Sequence, residues 1–323
     1  MRTSKLLLLL SAAASQAAAA VTTVVVTAAT GKVGYPLFQA LRRADDVRAI
    51  ALVRDGERLR AMDPTIADED TILTADYCDR EAVDAALAQL DGDGGGAPFN
   101  LYLACGNGPA QQEAELNVLG AAAATGKCGY VCKLSTVGAV LEMKSAGPYE
   151  AHLAVEEALA GGTIPHAILR PQMFMQMTAV PIVGIGDQLA SGSSRCSHPF
   201  ADKAISMIAA EDVARVAATL LTAGGRQEDG QAFGQTLDLT GPAAVSYADL
   251  AECISALPGR SSQSPIECVP TSFDEHAPAP PLARFLEVLG SVSAVTDEVE
   301  RITGRPPASL KAYVEGHPEL FAT

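Results

Sequence analysis

Short apolar runs and amphipathic stretches alternate along the first half of the chain. The apolar runs are bounded by turn residues, which predicts buried strands over 21–26, 48–53, 71–75, 99–105, 130–134 and 167–169. The stretches between them carry apolar residues at helical spacing, which predicts a helix after residue 33 and further helices over 80–90, 113–125 and 149–160. This alternation predicts an α/β fold, a Rossmann-type doubly wound parallel sheet with helices on both faces.

Beyond Pro171 the alternation becomes irregular. A helix over 210–221, a strand over 236–240 and a helix over 247–256 predict a smaller C-terminal α/β lobe. We therefore expect a nucleotide-binding domain over 21–172 and a substrate-binding lobe over 173–323.

The first twenty residues are expected to form a separate leader. Two cations precede a block of five leucines, and Ala18–Ala20 offers the small residues that a signal peptidase accepts. The run is too short for a convincing membrane span. The sequence predicts a signal peptide that directs the chain to the secretory pathway or an organelle. An organellar transit segment and a disordered leader on a cytoplasmic protein are the alternatives.

Composition narrows the range of partners. The 323 residues are 48% hydrophobic and 19% charged, with a net charge of −15, which disfavours nucleic acid and anionic membranes as partners and favours a small molecule. Seven cysteines show no disulfide framework spacing. Cys128 and Cys132 would lie about 13 Å apart along one strand, which is too far to coordinate one ion, so no metal site is predicted.

The turn after the first predicted strand has the features of a phosphate-binding loop. Glycines let the backbone approach a diphosphate, and the following helix directs unpaired N–H groups and its positive dipole end at the anion. Ala28 occupies the first glycine position of a G-x-x-G-x-x-G pattern, where a methyl group is tolerable if the backbone dihedrals are ordinary. A plain strand-to-helix turn is the alternative, but the place at the head of the alternating pattern favours a nucleotide. The predicted cofactor-binding residues of the loop are Thr30, Gly31, Lys32, Val33 and Gly34.

Two residues after later strands bear on the choice of nucleotide. Arg54 follows the second strand, where an acidic residue would bind the ribose 2′-hydroxyl of NAD and a guanidinium suits the 2′-phosphate of NADP. The sequence predicts NADP, with Lys32 as a second cation, and NAD is the alternative because Asp55 is adjacent. Asp76, just past the third strand, is placed to accept from the adenine amino group, unless it caps the next helix.

Together these residues resemble the NmrA-like branch of the atypical short-chain dehydrogenase/reductase superfamily. The resemblance runs from about residue 21 to the C-terminus. It rests on ordered motifs at 28–34, 52–55, 133–136, 152–156, 168–176, 211–214, 239–242 and 302–307. It implies a Rossmann domain, NAD(P) in the cleft beside a small C-terminal lobe, and either a reductase or a cofactor-sensing regulator. The chain departs from the family pattern at Ala28, where glycine is usual, and at Met177, where asparagine is common.

The candidate catalytic residues are Tyr149, His152 and Ser135. Typical short-chain dehydrogenases use Tyr-x-x-x-Lys, in which the ammonium lowers the phenol pKa from about 10. Leu153 stands in the lysine position, so tyrosine-dependent catalysis is disfavoured. Glu156 shares a helix face with His152 and is expected to orient the imidazole or raise its pKa, which would make His152 a proton donor. A structural His–Glu pair is the alternative, and Ser135 either faces the substrate carbonyl or caps the end of its strand.

The leading hypothesis is an NADPH-dependent reductase of a small apolar carbonyl or quinone, with the proton taken from His152, Tyr149 or water. The apolar run Met173, Phe174, Met175 and Met177 would line the cofactor and a flat substrate, although such clusters are more often core. The alternative is a non-catalytic NADP(H)-sensing regulatory protein that acts on a partner protein, which the missing lysine favours. NAD-dependent sugar-nucleotide epimerisation ranks last because it needs that lysine.

Overall fold

The computed structural model describes residues 21–66, 71–91, 98–137, 148–180, 184–190, 193–224, 235–258, 264–276 and 280–321. The predicted leader over residues 1–20 lies outside the described residues. The strands of the described part are β1 (Thr22–Thr27), β2 (Val47–Val53), β3 (Ile72–Thr74), β4 (Phe99–Leu103), β5 (Cys128–Leu134), β6 (His166–Pro171), β7 (Met173–Phe174), β8 (Arg195–Ser197), β9 (Ile205–Ile208), β10 (Gln235–Leu239), β11 (Ala244–Val245) and β12 (Glu267–Val269).

The α-helices of the same ranges are α1 (Gly34–Arg42), α2 (Gly56–Met62), α3 (Arg80–Ala88), α4 (Gln111–Ala124), α5 (Pro148–Ala160), α6 (Gly186–Ala190), α7 (Ala210–Thr222), α8 (Tyr247–Ser255), α9 (Phe273–His276), α10 (Pro280–Leu289), α11 (Glu298–Thr303) and α12 (Leu310–Gly316). Short 3₁₀ turns follow α3, β7 and α12. None of the helices described is both long and apolar enough to cross a bilayer.

A seven-stranded parallel sheet in the order β10-β6-β5-β4-β1-β2-β3 forms the centre of the molecule. Strands β1 to β6 follow the Rossmann order, in which the order of the strands reverses beside β1. The α/β fold with a doubly wound parallel sheet is therefore confirmed. All six predicted strands are present, with ends that differ by one or two residues.

The seventh strand corrects one expectation. The strand predicted over 236–240 is expected in the smaller lobe, but β10 pairs with β6 in the large sheet, Leu237 beside Leu169. Strand pairing is non-local, so the apolar pattern of a strand does not reveal which sheet it joins. The segment after residue 172 thus contributes to the large sheet as well as to the smaller elements.

Apolar cores lie on both faces of the large sheet. On one face α1 and α7 pack together over β1, β4 and β5, with Leu37, Phe38 and Val213 buried. On the other face α3, α4 and α5 pack over the same sheet, with Val118 and Val155 buried. A third cluster lies in the C-terminal segment, where α8, α10 and α12 bury apolar side chains near two small sheets.

Two tyrosines on the α7 side of the sheet carry hydroxyl groups without a hydrogen-bond partner among the described residues, Tyr102 on β4 and Tyr130 on β5. Both side chains are fully buried. Burial raises the pKa of both phenols far above the ordinary value near 10, so both are neutral. A buried hydroxyl that makes no hydrogen bond destabilises the folded state, because it loses its hydrogen bonds to water and gains none in the protein.

We therefore expect Tyr102→Phe to raise the free energy of unfolding by about 1 kcal/mol, because the ring still fills the core while the unpaired hydroxyl is removed. Urea denaturation followed by circular dichroism measures the change. Tyr77→Phe is the matched control, since its hydroxyl donates to the Leu52 carbonyl and accepts from the Ala28 N–H, and it should lower stability. A loss at Tyr102 equal to that at Tyr77 would contradict the interpretation.

Candidate cofactor and active site

The chain turns sharply from β1 into α1. The Gly31 N–H donates to the Ala28 carbonyl at 2.8 Å, and the Tyr35 N–H donates to the Gly31 carbonyl at 2.9 Å. A Cβ atom at Gly34 would lie 2.2 Å from the Ala28 carbonyl oxygen, so only glycine fits there. The first turn of α1 therefore starts directly beside the end of β1, with its free N–H groups at the carboxyl edge of the sheet.

Ala28 has a φ of +50° and is the only non-glycine residue with positive φ in the described part of the chain. Ordinary dihedrals are the condition for tolerating a methyl group at this position, and Ala28 does not meet it. The tight turn requires the left-handed conformation at this position, which is unfavourable for an L-residue because Cβ crowds the following carbonyl. Alanine at the first glycine position is therefore a strained substitute.

A cavity of about 460 Å³ opens in front of this turn. Thr30 and Gly31 form part of its wall, and residues just past β2, β3 and β4 form the rest. The lining residues from those three strand ends include Arg54, Asp55, Arg58, Asp76, Tyr77, Cys78, Cys105 and Asn107. The cavity thus lies outside the carboxyl ends of the strands where the strand order reverses, which is where open α/β sheets bind nucleotides.

Most of the predicted cofactor residues meet in or beside this cavity. Arg54 is exposed at its wall, while Asp55 uses its carboxylate to cap α2 by accepting from the Arg58 N–H at 3.0 Å. Asp76 also lines the cavity and accepts from the Cys78 N–H at 3.1 Å. The alternative that Asp76 caps the next helix is wrong, because Asp79 caps α3.

Two loop residues face elsewhere. The exposed Lys32 lines another cavity of about 710 Å³ together with Arg43 and Gln176, and this cavity shares only Thr30 and Gly31 with the first. Val33 is buried in the core beneath α1, and its carbonyl accepts from the Leu37 N–H at 3.1 Å. Only the backbone of Val33 is thus available to a ligand.

A second, smaller cavity of about 200 Å³ adjoins the first and shares Cys105 and Asn107 with it. The predicted catalytic residues Tyr149, His152 and Ser135 all line this cavity. Its apolar wall consists of Leu134, Val137, Pro171, Met173, Phe174, Met177 and Leu289. Met175, by contrast, is buried in the C-terminal core.

The predicted His152–Glu156 pair does not form. Arg170 on β6 binds Glu156 through two nitrogens, with Nε 3.2 Å from Oε1 and the terminal nitrogen on Oε2. Ser135 also donates its hydroxyl to Glu156. A planar guanidinium offers a carboxylate two parallel hydrogen bonds, which a neutral imidazole one helical turn away does not match.

The environment of His152 also reverses the expected direction of its pKa. The side chain is 7% exposed, and Lys133 Nζ lies 3.1 Å from its Nδ1. Burial and the neighbouring ammonium together lower the pKa of His152 to about 3. The imidazole is therefore neutral at physiological pH, and the expectation of a raised pKa is wrong.

Tyr149 is half-buried at the wall of the apolar cavity. Burial raises its pKa to about 12, the opposite of what a catalytic Tyr-Lys pair achieves. Tyr149 is therefore a neutral phenol that can donate a hydrogen bond.

Sequence reasoning missed a buried polar cluster behind His152, formed by Gln111 and Glu115 on α4 and Lys133 on β5. Lys133 Nζ and Glu115 Oε2 are 2.7 Å apart, and their side chains are 0% and 1% exposed. One signal was available, because Lys133 interrupts an apolar strand between Cys132 and Leu134. A charge in a strand buried on both faces needs a partner, although the sequence does not name it.

We expect Ala28→Gly to stabilise the protein by about 0.5–1 kcal/mol, because relief of the left-handed strain exceeds the added freedom of the unfolded chain. Gly34→Ala should destabilise it by about 1–3 kcal/mol, since its methyl group would overlap the Ala28 carbonyl. Urea unfolding measures both. Gly316→Ala is the control, because nothing beyond its own helical turn lies within 4 Å of the point that its methyl group would occupy. Similar effects at Gly34 and Gly316 would refute the steric argument.

Several solved structures share this fold. An NADPH-dependent quinone oxidoreductase from Escherichia coli in complex with NADPH has a TM-score of 0.69 and 20% identity, over 92% of this chain and 99% of the other. The triphenylmethane reductase of Citrobacter sp. complexed with NADP(H) has a TM-score of 0.70 and 20% identity, over 91% and 99%. NmrA, a negative transcriptional regulator in complex with NAD, has a TM-score of 0.64 and 17% identity, over 92% and 95%.

Among curated protein sequences, none matches the chain. The family model described as NAD(P)H-binding matches residues 28–224, which is more than half of the chain and includes the turn after β1, the lining of the larger cavity and α7. The predicted NmrA-like resemblance and the predicted nicotinamide dinucleotide agree with this match. The chain belongs to the NAD(P)H-binding family.

Proposed function

We propose that the protein is an NADPH-dependent reductase of a small apolar carbonyl or quinone. The observation that carries the proposal is the apolar cavity that adjoins the cofactor cleft at the carboxyl edge of the sheet. Tyr149 and His152 are both at its wall, where a substrate oxygen would need hydrogen-bond donors. Two of the similar structures are of reductases, one of quinones and one of triphenylmethane dyes.

The residues of the larger cavity fit a dinucleotide. The N–H groups at the start of α1 suit the diphosphate, and the glycine at position 31 allows the close approach that this requires. Asp76 lines this cavity and, in this proposal, accepts from the adenine amino group. Arg54 is placed for a 2′-phosphate, and the use of the Asp55 carboxylate as a helix cap favours NADP over NAD.

When bound, NADPH supplies a hydride from its nicotinamide ring. The chain itself holds the substrate against the methionine and phenylalanine side chains of the smaller cavity, which exclude water. Tyr149 and His152 are both neutral and donate hydrogen bonds to the oxygen that gains charge. Ser135 is already bonded to Glu156, so its role is to position the strand end rather than to act on the substrate.

The second candidate is a non-catalytic protein that senses NADP(H) and passes the cofactor state to a partner protein. Leu153 in the position of the usual lysine and the raised pKa of Tyr149 favour it, since neither supports strong acid catalysis. The similar NmrA structure is of a transcriptional regulator. This candidate shares the cofactor site and differs in having no turnover.

Arg54→Ala tests the cofactor choice. We expect it to weaken NADPH binding by roughly 1.5–3 kcal/mol and NADH binding much less, because only NADPH carries the 2′-phosphate. Isothermal titration calorimetry of both dinucleotides measures the difference. Arg60→Ala is the control, since Arg60 is on α2 but pairs with Glu57 outside the cavity. Equal weakening of the two cofactors by Arg54→Ala would overturn the assignment.

Turnover separates the two candidates. We expect the protein to oxidise NADPH in the presence of some members of a panel of quinones and aromatic aldehydes. The loss of absorbance at the NADPH band measures this oxidation. His152→Ala should reduce kcat by roughly 10²-fold, the effect of losing one donor at a developing charge, while leaving NADPH affinity unchanged. Tight NADPH binding with no oxidation across the panel would favour the sensor.

A further inference from the structure

A fully buried ammonium lies behind the wall of the smaller cavity. Lys133 Nζ contacts Glu115 Oε2 at 2.7 Å, His152 Nδ1 at 3.1 Å and the Leu134 carbonyl oxygen. A lysine ammonium has three N–H donors and no acceptor, and two of its hydrogen bonds go to His152 Nδ1 and the Leu134 carbonyl. Glu115 supplies the opposite charge, which makes a charged lysine stable at a position with no exposed surface.

This arrangement leaves one protonation state for His152. Because Lys133 can only donate, Nδ1 of the imidazole must accept, and the single proton of a neutral ring must therefore reside on Nε2. An imidazolium would direct an N–H at the ammonium. The charged groups that face the ring are Lys133 from β5 and, behind it, Glu115 from α4, while Glu156 on the same helix is bound to Arg170 and the phenol of Tyr149 is neutral.

Gln111 also contacts the ring of His152. Its side chain is buried, its amide nitrogen lies 3.2 Å from His152 Nδ1 and 3.0 Å from Nε2, and its amide oxygen has no partner among the described residues. An atom at nearly the same distance from both ring nitrogens lies over the face of the imidazole, so Gln111 does not take the Nε2 proton.

We propose that Lys133 is a positioning residue that holds His152 as a neutral imidazole with its proton on Nε2. His152 then polarises the substrate oxygen as a neutral hydrogen-bond donor and does not deliver a proton as an imidazolium. The catalytic consequence rests on the proposed reductase, whereas the tautomer itself does not. The proton of the reduction comes from water or Tyr149.

Nuclear magnetic resonance of the full chain with ¹⁵N-labelled histidine tests the tautomer directly, since protonated and unprotonated ring nitrogens have well separated shifts. The spectrum of His152→Gln identifies the resonances of His152 among the five histidines. We expect a proton on Nε2 and none on Nδ1 throughout pH 5 to 8. A proton on Nδ1, or a doubly protonated ring at pH 7, would overturn the proposal.

Variants test whether Lys133 is the cause. Lys133→Met alone leaves Glu115 charged and buried, so the informative protein is the double variant Lys133→Met/Glu115→Gln, which removes both charges together. In it the pKa of His152 should rise toward the ordinary value of about 6.5, and the Nδ1–H tautomer should appear. Lys311→Met is the control, because Lys311 is exposed and pairs with Glu315. A double variant that folds and keeps the wild-type tautomer and titration would show that Lys133 does not position His152.

Kinetics distinguish a failure of this proposal from a failure of the proposed function. With a quinone that the protein reduces, kcat of the wild type should show no inflection from His152 between pH 5 and 8. The double variant should show an inflection near the new pKa of His152. A wild-type inflection that matches a His152 titration would overturn the neutral-donor role. If no quinone is reduced while the Nε2 proton and its dependence on Lys133 are observed, the reductase is wrong and the positioning by Lys133 still stands.

Discussion

The close approach between the Ala28 carbonyl oxygen and the backbone of Gly34 is the constraint on which the site depends. It allows α1 to begin immediately beside the end of β1, so that the free N–H groups of its first turn reach the carboxyl edge of the sheet. Ala28 must adopt a positive φ to make this possible. The cofactor cleft is therefore shaped by backbone geometry first, and the side chains from the ends of β2, β3 and β4 are added around it.

The wall of the smaller cavity depends on a buried ion pair. Lys133 lies on β5, and Glu115 lies on α4, which packs against the sheet. Burying either charge without the other would cost free energy. Their pairing fixes what surrounds His152, which leaves the cavity wall with neutral donors. A reductase of apolar substrates needs such a wall, since a fixed dipole stabilises a developing oxyanion without attracting water.

Local patterns predicted most of the fold and part of the site. The strands β1 to β6, the turn at 27–34 and the face of α5 that carries Tyr149 and His152 all follow from nearby residues. What depends on distant residues could not be predicted in the same way. Spacing on a helix allows a His152–Glu156 contact, but Arg170 on another strand offers Glu156 a better one. The partner of Lys133 is likewise set by how α4 packs on the large sheet.

The pairing of β10 with β6 also affects how the polypeptide emerges from the ribosome. The 63 residues from 172 to 234 separate the two strands, so the outer edge of β6 keeps unpaired N–H and carbonyl groups until much of the C-terminal half has been synthesised. An unpaired edge of that kind is a template for another nascent copy. The large sheet can be completed only when a contact of long sequence separation forms, and contacts of this kind form slowly.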